Sequence, residues 1–178
     1  MKQFWQMLSR IGPEPLWLVA DEQGLRLAEF AATAKRSTAA LRQRFGADYR
    51  LNDGPCPVLE RAAAALRAYT RGDARLLRRV PVHPRGTAFQ QAVWRVLRSI
   101  PAGRTLSYGE VARRVGRPSA ARAVGMACGA NPIALFIPCH RVIGADNGLT
   151  GFGGGLARKA RLLAHERAAT AVPAPKRR

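Results

Sequence analysis

A cysteine and a histidine stand side by side in Ile137-Pro138-Cys139-His140-Arg141-Val142-Ile143, inside an otherwise apolar run. The thiolate is the reactive form of cysteine, and a nearby base, cation or helix end makes it available at neutral pH. Taken alone, a cysteine in such a run is more often a small buried hydrophobe. Its surroundings argue for chemistry. Downstream, Leu162-Leu163-Ala164-His165-Glu166 offers a carboxylate, Glu166, that could orient His140. Adjacent residues point in different directions in a regular backbone, so a bridging water is the natural link between His140 and the Cys139 thiol. The resulting relay has the logic of nucleophile, base and orienting acid.

The elements that must hold these residues are punctuated by caps and glycines. Pro84-Arg85-Gly86 marks a boundary between residues 1–86 and 87–168. Thr87 with Gln90 forms a capping box for a helix whose stripe is Phe89, Val93, Val96, Leu97 and Ile100. Ser107 with Glu110 forms a second box, opening a short helix that Gly116 stops. Arg117-Pro118 turns the chain, and Ser119 is expected to cap a helix over residues 119–129. Two helices joined by a short glycine-containing turn have helix-turn-helix spacing, although an ordinary helical corner has the same spacing. The second helix carries Ala120, Ala121, Ala123 and Gly125, with Arg122 as its one charged side chain. Major-groove reading needs several Asn, Gln, Arg or Lys. A smooth face with one long side chain suits the minor groove better. Leu156, Ala160 and Leu163 line a last helix, and residues 168–178 read as a disordered tail.

The first half reads as a small α/β unit. A hairpin of residues 16–20 and 25–30 turns at Asp21-Glu22-Gln23-Gly24, a helix covers 31–45, and Pro57 opens another that stops at Gly72. Val80-Pro81-Val82 suits a short edge strand. No residue here carries recognisable chemistry, so its expected role is a scaffold.

Thirty basic residues against 11 acidic give +19, which points to a polyanionic partner, nucleic acid first. Residues 87–178 hold 15 basic and 3 acidic residues, against 15 and 8 before them, so the stronger field lies with the chemistry. Cys56, Cys128 and Cys139 form no CxxC pair, and His83, His140 and His165 are dispersed. Neither a metal nor a cofactor is expected. Residues 1–15 contain no apolar core of signal-peptide length and nothing approaches a membrane span, so a cytoplasmic protein is expected, nuclear in a eukaryote, with no membrane partner.

Taken in order, Gly86-Thr87-Ala88-Phe89-Gln90, Ser107-Tyr108, Ala121-Arg122-Ala123-Val124-Gly125, Asn131-Pro132, Pro138-Cys139-His140-Arg141-Val142, Gly154-Gly155 and Leu162 to Glu166 resemble the O6-alkylguanine-DNA alkyltransferase family. The resemblance is strong over about half the chain and loose before it. It implies an α/β fold: a ribonuclease-H-like N-terminal domain and a mainly helical C-terminal domain with a winged-helix-like helix-turn-helix. It further implies a cofactor-free, single-turnover alkyl transfer from O6-alkylguanine in double-stranded DNA, and from O4-alkylthymine, to Cys139.

By the same resemblance His140 and Glu166 complete the relay and Asn131 braces the turn. Tyr108 favours flipping and donates to the guanine ring, the carbonyls of Cys139 and Val142 accept from its amine, and Gly153 N–H faces O6. Ser107 and the helix with Arg122 would meet DNA, with Arg122 filling the space of the flipped nucleotide. The protein is expected as a monomer, with cooperative assembly on DNA left open. Phe152 stands where the family usually has tyrosine, and Ala134 where some members have proline, which puts the range of alkyl groups in question. A damage-recognising binding protein with an incidental thiol and a cysteine hydrolase are the alternatives. The hydrolase leaves the helix pair and the charge unexplained.

Overall fold

The expected hairpin forms with β2 (Glu14–Asp21) antiparallel to β3 (Gly24–Phe30). Asp21 makes the turn itself: its Oδ1 accepts from the N–H groups of Gln23 and Gly24 at 3.0 and 3.1 Å. Gly24 has φ +156, and a Cβ there would lie 2.8 Å from the Pro81 carbonyl carbon and oxygen, so no side chain fits. The structure is a computed structural model that describes residues 2–30, 38–46, 48–52 and 54–171.

The sequence reading had no strand before the hairpin, yet β1 (Lys2–Ile11) is the longest strand among the described residues. It pairs antiparallel with β2 and parallel with the equally unforeseen β4 (Tyr49–Leu51), in the order β3-β2-β1-β4. Its side chains alternate, with Gln6, Leu8 and Arg10 outward and Trp5, Met7, Ser9 and Ile11 inward. An outward leucine and an inward serine blur that period. Helix α1 (Thr38–Phe45) covers one face, where Leu41 and Phe45 meet Phe4, Trp17, Val19 and Leu27. The first part of the helix expected there, residues 31–37, lies outside the described residues. Helix α2 (Pro57–Thr70), with Pro57 in its first turn, covers the other face through Leu59, Ala62, Leu66 and Tyr69.

After a 3-10 turn (Arg75–Arg79), the segment around Val82 makes only an isolated parallel bridge to Leu25 instead of a strand. Helix α3 (Ala88–Ser99) opens on the expected Thr87–Gln90 capping box. Its stripe buries Val93, Leu97 and Ile100, together with Trp94, whose indole N–H donates to the Ala127 carbonyl at 2.9 Å. Next come β5 (Leu106–Ser107), helix α4 (Tyr108–Arg114) with its Ser107–Glu110 box, and helix α5 (Ala121–Gly129). A 3-10 turn (Cys139–Arg141), strand β6 (Val142–Ile143) parallel to β5, and helix α6 (Leu156–Ala171) complete the chain. A sheet-bearing N-terminal half and a helical C-terminal half therefore share one apolar core, running from Leu18 and Leu66 through Val93 and Leu97 to Cys139 and Leu162.

Three local expectations are corrected. Ser119 is not a cap: Ala120 N donates to the Arg117 carbonyl at 2.9 Å, closing a turn, and the uncapped Ala120 precedes α5. The buried face of α6 is Lys159, Leu162, Leu163 and Glu166, while Leu156 is 48% exposed. Two charged residues on the inner face hid that stripe from hydrophobic periodicity. Helix α6 also continues through Ala171, past the expected start of a disordered tail, and the remaining residues 172–178 lie outside those described.

The outer edge of β3 is what brings the halves together. Leu25 N donates to the Pro81 carbonyl at 2.9 Å, and Ala28 N to the Pro132 carbonyl at 2.9 Å, with Ala134 N returning to the Ala28 carbonyl at 2.9 Å. The approach to Cys139 is thereby tied to the first sheet, and an otherwise open edge is covered.

The caps give a direct comparison. Thr87→Ala should lower the unfolding free energy by about 1 kcal/mol, because an N-cap bond is lost. Ser119→Ala should stay within about 0.5 kcal/mol, as for a surface change that removes no cap. Urea denaturation midpoints of the two variants check both values.

Candidate active site

The chain reaches Cys139 through a tightly folded run. Leu135 is held at φ 72, a left-handed conformation that is rare for a branched residue, and it is 2% exposed. Ile137 N donates to the Ile133 carbonyl at 3.0 Å and Cys139 N to the Ile137 carbonyl at 2.8 Å. Asn131 braces this turn from inside. Its Nδ2 donates to the Ile137 carbonyl at 2.8 Å and to Cys139 Sγ at 3.2 Å, while its Oδ1 accepts from Ile133 N at 3.0 Å. Asn131 thus touches the sulfur as well as the backbone.

Behind the cysteine lies a buried charge cluster centred on Glu166, which is 1% exposed. Its Oε1 lies 2.9 Å from His140 Nε2 and accepts from Arg141 Nη2 at 2.7 Å and from the Tyr69 hydroxyl at 3.1 Å. Its Oε2 accepts from Arg141 Nε at 2.9 Å and from Gly103 N at 3.4 Å. Burial alone would raise the Glu166 carboxyl; the hydrogen bonds from His140 and Arg141, with the charge of Arg141, outweigh it and bring the pKa down to about 2. An ionised carboxylate only accepts, so His140 Nε2 must carry the proton it shares with Glu166. Nδ1 is then the basic nitrogen, and it is buried without a hydrogen-bond partner. Burial lowers the His140 pKa, against the pull of Glu166, which keeps the ring neutral and basic at pH 7.

The thiol feels opposing influences. Burial raises the Cys139 pKa, while the Asn131 hydrogen bond and the charge of Lys159 lower it. Lys159 is fully buried, and its Nζ donates to the carbonyls of Val142 and Thr150 at 2.6 Å each. The Tyr108 hydroxyl donates to the same Thr150 carbonyl at 3.0 Å, and burial pushes this phenol up. Cys128 is also buried, and burial followed by the proximity of Cys139 pushes its thiol up to about 12.

A cavity of about 240 Å³ opens beside Cys139, lined among others by Asn131, Ala134, Cys128, Phe152, Gly153 and Gly154. Of the expected site residues, Cys139, Asn131, Phe152 and Gly153 therefore line one cavity, with His140 and Glu166 buried behind the cysteine. Tyr108 and Val142 are engaged instead with Thr150 and Lys159. The cavity also takes Ala28, Glu29 and Phe30 from β3 and Arg44 from α1, so the first half supplies part of the wall. Sequence reasoning missed these residues, and it missed Arg141, Tyr69 and Lys159 in the interior. Arg141 sits in the quoted motif, and its adjacency to His140 was the available signal.

On α5, Ala121, Ala123 and Gly125 are half-buried and Arg122 is exposed. A Cβ on Gly125 would lie 3.7 Å from the Tyr108 ring, which places this helix directly over that tyrosine. Met126, which sequence reasoning also missed, stands 71% exposed one turn beyond Arg122. Asp146 turns into its own loop and accepts from Gly148 N at 2.9 Å. The Ser107 hydroxyl accepts from Glu110 N at 3.2 Å and lies 2.8 Å from its carboxylate, committed to the cap. Among the described residues no group of three His, Cys, Asp or Glu could hold a metal, and no helix is long and apolar enough to cross a membrane.

Because the folded pKa of Glu166 lies below its ordinary 4.5, its contribution to stability is complete above about pH 4.5 and is lost as the pH falls toward 2. Glu166→Gln leaves Arg141 buried without a counter-ion and should cost about 3–5 kcal/mol at pH 7. That gap should narrow steadily in acid, as the wild-type carboxyl protonates. Urea unfolding of both proteins across this range checks it, and a gap independent of pH would contradict the assignment.

The match to known proteins follows the same two halves. A family model described as 6-O-methylguanine DNA methyltransferase, DNA binding domain, matches residues 88–168. The chain is 40% identical over 156 residues to the methylated-DNA--protein-cysteine methyltransferase of Shigella flexneri, covering 85% of this chain and 89% of that one. The crystal structure of the Mycobacterium tuberculosis O6-methylguanine methyltransferase superposes with a TM-score of 0.74 at 38% identity, covering 98% of this chain and 97% of its own. The M. tuberculosis protein OGT, crystallised in complex with DNA, gives 0.72 at 39% identity with 94% of each chain covered. A relationship of this depth along most of the chain, in sequence and in fold alike, makes it a member of the methylated-DNA--protein-cysteine methyltransferase family.

Proposed function

We propose that this chain repairs DNA by moving the alkyl group of O6-alkylguanine, and of O4-alkylthymine, onto Cys139 Sγ in one irreversible turnover. The observation that carries the reading is a thiol on a cavity wall backed by a neutral histidine whose free nitrogen is basic. Cys139, His140, Glu166, Asn131 and Tyr108 do the chemistry. The thiol proton passes through a bridging water to His140 Nδ1, and Glu166 stabilises the imidazolium that forms. The sulfur–carbon bond forms as the carbon–O6 bond breaks, and the electron pair stays with the base; the proton that left Cys139 balances its charge, and Tyr108 donates a hydrogen bond to the ring. For that, the Tyr108 hydroxyl exchanges the Thr150 carbonyl for the base. Asn131 gives the developing thiolate a donor, and buried Lys159 gives it a positive field. The thioether is stable and, among the described residues, no group is placed to remove it, so each molecule acts once.

DNA is the partner, and the +19 charge supports a binding dominated by phosphates. Residues 87–168 do the binding and transfer, while residues 1–86 form the scaffold. The small residues of α5 let the helix approach the minor groove closely, with Arg122 filling the place of the flipped nucleotide. Met126 adds an apolar contact beside it, as minor-groove wedges do. Phe152 and Gly153 wall the base, and the protein works as a monomer in the cytoplasm, where Cys139 stays reduced.

The test is incubation with duplex DNA bearing O6-methylguanine, followed by protein mass and peptide mapping. One methyl on Cys139 per molecule, with no second round, is expected; turnover or an unmodified Cys139 would overturn the reading. Cys139→Ala should bind DNA but transfer nothing, and Cys128→Ala should keep most activity. Arg122→Ala should slow transfer from duplex DNA by roughly ten- to a hundredfold, because flipping costs about a few kcal/mol. Transfer from free O6-methylguanine should be nearly unchanged, and equal loss on both substrates would remove Arg122 from the flipping role.

A further inference from the structure

The loop Gly151-Phe152-Gly153-Gly154-Gly155 forms one lip of the Cys139 cavity, and four glycines give it little stiffness of its own. One side chain latches it. Arg158 donates from Nη1 to the Gly154 carbonyl and from Nε to Glu14, and its guanidinium carbon lies 4.2 Å from the centre of the Phe30 ring. Glu14 is also bound by Arg161 from the same helix, which fixes the carboxylate in turn. Glu14 and Phe30 belong to the first half of the chain, and Phe30 itself lines the cavity. Gly154 is closely packed in this arrangement: a Cβ there would lie 2.7 Å from the Phe152 ring and 3.1 Å from Arg158 Nη1. Both lips of the cavity, the glycine loop and the end of β3, therefore meet on one guanidinium.

We propose that Arg158 is a positioning residue that clamps the glycine loop to the N-terminal sheet, holding the cavity at a width that favours methyl over larger alkyl groups. The assignment rests on the alkyl-transfer reading and gives the N-terminal half a part in selectivity. A planar guanidinium can stack on Phe30 while its two edges bond Glu14 and the loop carbonyl, which a lysine or an apolar side chain cannot do together. With the latch removed, the loop relaxes outward. Methyl transfer slows because the lip no longer seats the small substrate, and a bulky group gains the room it lacked.

Transfer rates from duplexes carrying O6-methylguanine and O6-benzylguanine test this with wild type, Arg158→Ala and Arg158→Met. The benzyl-to-methyl rate ratio should rise about tenfold in both variants, the scale of one charge-assisted bond to the loop. Hydrogen exchange of the Gly153–Gly155 amides should quicken by a similar factor, and this readout needs no alkyl transfer. If Arg158→Ala does not fold, Glu14→Gln keeps the Gly154 bond, loses the ion pair, and should shift both readouts part of the way. A ratio unchanged within error in the folded variants, or equal slowing on both substrates, overturns the proposal. A wild-type protein that transfers neither group overturns the alkyl-transfer reading instead, and the exchange rates still decide whether Arg158 holds the loop.

Discussion

A carboxylate taken fully out of water must be repaid several times over by its neighbours, and Glu166 is satisfied from both of its oxygens. Arg141 bonds both, His140 and Tyr69 meet one, and Gly103 N–H meets the other. An unpaired buried ion would cost several kcal/mol, so these donors have to arrive together. They come from α2, the α3–β5 connection and the Cys139 turn, so that, with the carboxylate itself on α6, the cluster forms only when four parts of the chain are in place. Its consequence for chemistry is the tautomer of His140. With Nε2 committed to an ionised acid, the basic nitrogen is turned the other way.

The same economy links the two halves. The sheet that carries no reactive group reaches the reactive one along β3, where Ala28 pairs with the run ahead of Cys139 and Leu25 holds the segment around Pro81. Residues 28–30 then form part of the cavity wall. Tyr69, on the helix that covers the sheet, hydrogen-bonds the relay's own acid, and burial together with the charge of Glu166 keeps its phenol protonated. Displacement of either half would therefore be felt at the sulfur.

Much of the reactive half was legible because its signals are local. Thr87 with Gln90 and Ser107 with Glu110 are capping boxes that need no tertiary context, and Cys139, His140 and Glu166 stand in an ordered series of motifs. The misses have a common physical origin. β1 mixes polar and apolar residues on each face, and β4 is three residues long, so neither has a clean period. Ser119 has the right side chain for a cap, but a turn closed by Arg117 moves the helix start one residue on. Lys159 and Glu166 occupy a buried face that hydrophobicity alone assigns to solvent. The contributions of Ala28, Phe30 and Arg44 to the cavity, and of Tyr69 to Glu166, depend on contacts across long sequence separations that no window contains.

The claim on which all of this turns is that Glu166 fixes His140 as a neutral base with its free nitrogen away from the carboxylate. Nitrogen-15 NMR of the histidine rings near pH 7 reads this directly. The account predicts a neutral His140 with the proton on Nε2 and none on Nδ1, persisting below the ordinary histidine pKa because burial disfavours the charged ring. An imidazolium at pH 7, or a neutral ring protonated on Nδ1, would contradict it.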